Sequence, residues 1–250
     1  MKIVGLFILM FMNNLAFSQV ISANPKKEVS PEKVKKVKSN NKDSVAVMGT
    51  SLYVKMNFSN AFRTLKENGD LYGEPLDERA HEQSLNLFSY GFGFRNQFHK
   101  NLRWEAGFSY FQNGEKYQSN LPDTSFSYET KYRYLGMPIQ LKVVFGQRLR
   151  YTIGGGLQPG MFMRYLQEST FENNQGKTES STFKTKSGYN TMVVNAIVSM
   201  GIEYSFHKKW SVALGAEARW QLNSTYTKTA AYQHKAYAYG ADFGLIYHLK

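Results

Sequence analysis

The chain has no cysteine among its 250 residues, so disulfides, thiolate metal sites and a lipid anchor on an N-terminal cysteine are excluded. Beyond its N-terminus it has no run of about 18 apolar residues, which excludes a helical membrane protein. It has no G-x-S-x-G, no H-E-x-x-H and no P-loop. Its five histidines are scattered: His99 and His207 in short turns, His248 near the C-terminus, His81 and His234 in long loops. Those two loop histidines, with Asp70, Asp77, Asp123, Glu172 and the Ser180-Ser181 pair, are the raw material for a surface hydrolase or lipid acyltransferase site. Loops of this size carry such residues by chance. The expectation is therefore a chain that is not an enzyme, with no catalytic, cofactor-binding or metal-binding residue and no cofactor.

What is present is alternation. Phe88, Tyr90, Phe92, Phe94 and Phe98 occupy alternate positions, with Ser89, Gly91, Gly93, Arg95 and Gln97 between them. A period of two means strand, with one apolar and one polar face. The pattern recurs about eight times: near Met48–Phe58, ending at Phe98, then at Leu102–Tyr110, Tyr132–Phe145, Leu149–Tyr165, Val194–Tyr204, Trp210–Leu222 and Tyr237–Leu249. In the fourth segment Tyr132 and Tyr134 have one parity and Ile139, Leu141, Val143 and Phe145 the other, which predicts a β-bulge at Gly136-Met137-Pro138. Three connections are short (His99-Lys100-Asn101, Gly146-Gln147-Arg148, His207-Lys208-Lys209). Four are long and polar, about 59–82, 113–127, 167–188 and 223–236.

Nothing in the chain resembles a second layer to cover so many apolar faces. The economical solution is all-β: an eight-stranded antiparallel up-and-down transmembrane β-barrel, OmpA/OmpX-like, with its apolar face in lipid. A lipocalin-like barrel, apolar inside, has the same alternation. Eight strands, however, enclose room for little more than side chains, and about fifty apolar residues do not fit there. Seventeen Tyr, 18 Phe and three Trp suit aromatic girdles. The expected lipid-facing girdle is Phe98, Phe145, Phe206, Trp210 and Tyr247 on the periplasmic side and Tyr110, Tyr165, Trp220 and Tyr237 on the outer side.

The N-terminus reads as a secretory signal, residues 1–18, with Lys2, the apolar Ile3–Met12 and an Ala16-Phe17-Ser18 cleavage site. Residues 19–43 read as a lysine-rich flexible tail, and 44–250 as the outer-membrane barrel. An even strand count puts both termini in the periplasm. The formal net charge is +12, yet no aromatic residue interleaves the tail lysines and an exported chain meets no genome, so nucleic acid is not an expected partner.

On the polar face the charges are the candidate site. Arg95, Glu105, Lys142 and Glu203 each lie three residues from a short turn and form a layer of alternating sign, with Arg95 expected to face Glu105. Arg103, Arg150, Glu217, Arg219 and Asp242 extend this lumen network. An ion or proton path is one reading. A structural polar plug is favoured, since paired long side chains leave no continuous channel in an eight-stranded lumen.

The segment Tyr134-Leu135-Gly136-Met137-Pro138-Ile139-Gln140-Leu141-Lys142-Val143-Val144-Phe145-Gly146, followed by Tyr151-Thr152-Ile153-Gly154-Gly155-Gly156, resembles the "YLxIPLLLKxxFG…GG" core of PorT-family outer-membrane β-barrel proteins, typical of Bacteroidetes. The resemblance covers about 44–250. It implies an outer-membrane barrel and an association with type IX secretion and gliding. Three functions follow as expectations: a structural, assembly or secretion-associated factor with envelope protein partners and outer-membrane lipids around it; a surface protein binding ligands through its four loops; or a loop-borne lipid-modifying enzyme.

Overall fold

Eleven antiparallel strands account for most of the chain that the computed structural model describes, namely residues 49–67, 81–121, 124–173 and 177–249. They are β1 (Gly49–Glu67), β2 (Glu82–Gln83), β3 (Leu85–His99), β4 (Leu102–Leu121), β5 (Thr124–Gly136), β6 (Ile139–Gly146), β7 (Leu149–Asn173), β8 (Thr178–Thr185), β9 (Met192–His207), β10 (Trp210–Gln221) and β11 (Tyr232–His248). The expected signal segment 1–18 and tail 19–43 lie outside the described residues. Among those residues no helix is long and apolar enough to cross a membrane.

Eleven strands stand where eight strand segments were expected, and each addition has a local cause. The fourth predicted segment is cut at Met137-Pro138 into β5 and β6, because Pro138 has no N–H for the ladder. The predicted loop 167–188 contains β8, which pairs along β7 from Tyr165↔Thr185 to Glu172↔Thr178. The two residues of β2 pair with Lys116 and Tyr117 of β4.

The pairings form a cycle. β1 pairs with β3, β3 with β4, β4 with β5 and β6, both of these with β7, then β7 with β9, β9 with β10 and β10 with β11. β11 returns to β1 over the register Ser51↔His248 to Glu67↔Tyr232. Three two-residue turns, Lys100-Asn101, Gln147-Arg148 and Lys208-Lys209, mark one end of the sheet, here the turn end.

Toward the far end the strands outrun the sequence reading. β1 continues to Glu67, and the predicted loop 113–127 is mostly ladder, with pairing up to Leu121↔Thr124. The predicted bulge at Gly136–Pro138 is absent. Side-chain parity runs unbroken from Tyr132 and Tyr134, both fully buried, through Pro138 to Gln140. The irregularity sits instead in β7, where Arg133↔Arg164 is followed by Tyr134↔Phe162 and Met163 is the extra residue.

The two faces are chemically inverted relative to a water-soluble sheet. Among the described residues 38 large hydrophobic side chains are exposed, such as Phe58 at 64%, Phe92 at 59% and Leu214 at 63%. The buried face carries Arg95, Arg103, Glu105, Arg150, Glu203, Glu217 and Arg219. Glycines let this face crowd: a Cβ on Gly93 would lie 2.6 Å from the Cα of its cross-strand partner Gly107 and 2.8 Å from Tyr53 Oη.

Candidate functional site

The buried face is organised in layers, starting next to the turns. Alternation sends Arg95 (β3), Arg103 and Glu105 (β4), Lys142 (β6), Arg150 (β7) and Glu203 (β9) to the same side, and similar distances from their turns bring them level. Glu203, 1% exposed, is the hub. Arg95 donates to it through Nη1 and Nη2, both at 2.8 Å, and Arg103 through Nη1 at 2.9 Å. Arg150 Nη2 donates to it as well. Glu105 is held by Lys142 Nζ at 2.8 Å and Arg103 Nη2 at 2.9 Å.

The expected Arg95–Glu105 contact is therefore secondary. The two residues are direct cross-strand partners, but Arg95 Nη1 stands 3.9 Å from Glu105 Oε1. The hairpin closes as His99↔Leu102, with an irregularity after Gln97. A guanidinium reaching inward meets Glu203 in bidentate geometry, which a neighbour on the adjacent strand does not offer.

Glu217, Arg219 and Asp242 form a second layer, completed by a residue outside the predicted network. Lys55 of β1 donates to Glu217 Oε2 at 2.6 Å, and Arg219 Nε lies 3.7 Å from Glu217 Oε1. Asn57 Nδ2 donates to Asp242 Oδ1 at 2.8 Å. The inward parity of Lys55 was legible, while its partner was not. A third cluster lies further on, where Arg63 pairs with Glu82 and, at 3.3 Å, with Glu115. Tyr132 Oη donates to Glu115 at 3.3 Å, and His234 Nε2 is 3.9 Å from that carboxylate. His234, expected in a loop, is a fully buried residue of β11. At the turn end His248 links Ser51 Oγ at 2.9 Å and Ser211 Oγ at 2.7 Å, joining β1, β11 and β10.

The far end is closed by rings. Phe111, Tyr132, Tyr134 and Val193 are buried together, with Phe162, Tyr165, Tyr189 and Tyr226 packed on them. Residues 186–191 and 222–231 meet over this cluster through the Tyr189↔Tyr226 bridge and the Asn190 side chain, which donates to Ser224 O and Tyr226 O at 2.8 Å each. Burial pushes the phenols of Tyr189 and Tyr226 above their ordinary range.

Of the nine predicted girdle rings, Phe98, Phe145, Phe206, Trp210 and Trp220 are exposed, and Tyr110, Tyr237 and Tyr247 are half-buried beside neighbours on the same face, Tyr110 stacked on Tyr90 at 5.1 Å. Tyr165 is a correction. The extra Met163 reverses parity, so Tyr165 turns to the buried side and stacks on Tyr189 at 5.2 Å, while Arg164, expected inside, is exposed.

No family model and no curated protein matches the chain, so the PorT resemblance of residues 134–156 finds no support there. Solved structures do match. Neisserial surface protein A is 11% identical with a TM-score of 0.43, the match covering 80% of this chain and 97% of that one. The outer membrane protein OprG from Pseudomonas aeruginosa is 11% identical with a TM-score of 0.42, covering 81% and 97%. The outer membrane protease OmpT from Escherichia coli is 8% identical with a TM-score of 0.33, covering 80% and 97%. Identities and scores this low carry neither an activity nor a partner from those proteins to this chain. They do correct one expectation. With a protease among the matched structures, an architecture of this kind is no ground for excluding an enzyme, and the expectation that the chain is not one is withdrawn.

Proposed function

We propose that the chain is an integral outer-membrane protein whose pairing cycle is an eight-stranded up-and-down barrel. β1, β3, β4, β5 with β6, β7, β9, β10 and β11 form its wall, and the buried charges fill its lumen. One observation carries this reading: large apolar side chains point outward all round the cycle while arginines and glutamates point inward. Each exposed Leu, Ile or Phe would gain roughly 1.5–3 kcal/mol by leaving water, so the outer face is built for hydrocarbon. An inward charge survives because it is paired. The periplasm then holds the short turns, both termini and, after cleavage of residues 1–18, the lysine-rich tail. The exposed rings Phe98, Phe145, Phe206, Trp210 and Trp220 suit the headgroup levels.

Within the membrane the charge layers act as a plug, and the role proposed is structural, in assembly or secretion with envelope protein partners, as the PorT resemblance implies. A second reading, partner or ligand binding at the outer surface, is favoured by the ladders of β4, β5, β7 and β8 that rise beyond the charged layers. Fractionation tests the first part. The protein should remain in outer membranes through carbonate extraction and run faster on gels when unheated; release by carbonate with unchanged mobility would end the barrel reading. Pull-down from mildly solubilised outer membranes separates the roles, because recovery of secretion or assembly components supports the first and their absence beside captured surface ligand supports the second.

A further inference from the structure

Between the first and second charge layers lies an interior cavity of about 70 Å³. Roughly 10–15 Å³ of such space holds one water-sized particle, so the cavity has room for several. Its wall includes Tyr53, Lys55, Arg95, Arg103, Lys142 and Ser199, together with the carboxylates Glu105, Glu203 and Asp242.

Among the described residues the charge around it does not balance. In these two layers six cations (Lys55, Arg95, Arg103, Lys142, Arg150, Arg219) meet four carboxylates (Glu105, Glu203, Glu217, Asp242). The excess is concentrated next to the turns, where among the described residues Arg95, Arg103, Arg150 and Lys142 share Glu105 and Glu203. Arg103, 3% exposed and lining the cavity, keeps a buried Nε without an acceptor, and so does Arg150 one layer edge away. The acidic cluster of Glu82 and Glu115 does not neutralise this excess. It surrounds Arg63, eight residues further along β1 than Lys55, about 26 Å at strand rise. A buried net charge that far from a counter-charge needs one closer by.

We propose that the cavity binds a small monovalent inorganic anion of halide type, held by Arg95, Arg103, Lys142 and Lys55. The cavity size admits a halide. The three carboxylates in the same wall would repel a dianion such as sulfate or hydrogen phosphate, so single charge is part of the specificity. The anion completes the plug: it satisfies the arginine-rich layer from the inside and fixes the two layers relative to each other. The inference rests on the burial and pairing of these side chains and not on the membrane assignment.

The test is the urea unfolding midpoint of the full-length mature protein, refolded in detergent micelles, in sodium chloride against sodium isethionate at equal ionic strength. Isethionate is monovalent like a halide but several times larger. The midpoint should rise with chloride and saturate, bromide should substitute, and sulfate should give only the unsaturating rise of an excluded salt, equal in the wild type and in Lys142→Gln. Lys142→Gln lowers the cation excess by one and should remove most of the chloride dependence. Should that variant fail to fold, Lys55→Met serves the same purpose from the other layer. Equal midpoints in chloride and isethionate, or a chloride effect that either folded variant retains in full, would overturn the site. Unheated gel mobility of the same samples reports folding separately, so a folded barrel indifferent to chloride defeats the anion and leaves the barrel reading untouched.

Discussion

Glu203 accepts from Arg95, Arg103 and Arg150 while only 1% exposed, so the loss of either side of these contacts leaves charge stranded in the buried interior. Glu203→Ala and Arg95→Ala should each destabilise by about 3–5 kcal/mol, measured by urea unfolding of protein folded into bilayers. The double change should cost less than the sum, with coupling on the order of 1–3 kcal/mol. The corresponding cycle for Arg95 and Glu105, at 3.9 Å, should show the smaller coupling. Equal coupling in the two cycles would mean that the hub is not Glu203. On the opposite face Val198 is 45% exposed at mid-strand. Val198→Leu should be tolerated, and Val198→Arg should cost on the order of 2–4 kcal/mol at mid-bilayer depth. If both variants fold equally well in bilayers, that face does not meet lipid.

β7 is the element on which the far end depends. Its 25 residues pair with β5, β6, β8 and β9, and the extra Met163 swaps the faces of everything after it. Deleting Met163 removes the bulge and leaves Phe162 inward, Arg164 outward and Tyr165 inward in strict alternation, so Tyr165 keeps its place beside Tyr132 and Tyr189. The deletion should therefore keep an unfolding midpoint close to that of Met163→Ala, which retains the extra residue. A midpoint far below it would show that the strand beyond Met163 does not hold this register. The two segments over the mouth have their own signature. Burial raises the Tyr189 and Tyr226 phenols, so the folded mouth favours their neutral forms. It is unaffected below the ordinary tyrosine value of about 10 and loses stability as pH climbs past it. An absorbance titration of tyrosinate should show a late-ionising fraction, and Tyr226→Phe should shrink it. Tyr226→Phe also removes the 3.0 Å contact with Tyr132, a loss of about 0.5–1.5 kcal/mol.

At the scale of the whole molecule the layers add up to an obstruction. Two ionic layers, a third cluster at Glu115 and a cover of rings stand in series along the interior. Reconstituted in planar bilayers, the wild-type protein should therefore give only small, rare conductance events. Large steady steps would reveal a continuous path past Glu203 and Glu217, and with it a porin in place of a plug.

Side-chain parity was readable from the sequence because a strand's period of two is local and repeats with each residue. That is why Arg95, Arg103, Glu105, Arg150, Glu203, Glu217 and Arg219 could be assigned to one face and Phe92, Val198 and Leu214 to the other. The places of the short turns were readable for the same reason, since they break that period over a few polar residues. Partnership was not. Glu203 gathers arginines from β3, β4 and β7, and that choice depends on strand stagger and on how far each side chain reaches across the interior. Lys55 and Glu217 meet only because β1 and β10 flank β11, at opposite ends of the chain order. The extra residue at Met163 leaves no mark in composition, yet it alone decides that Tyr165 faces Tyr189 and that Arg164 does not face the charges. Local chemistry determined which wall each residue stands on; closure of the sheet decided whom it meets there.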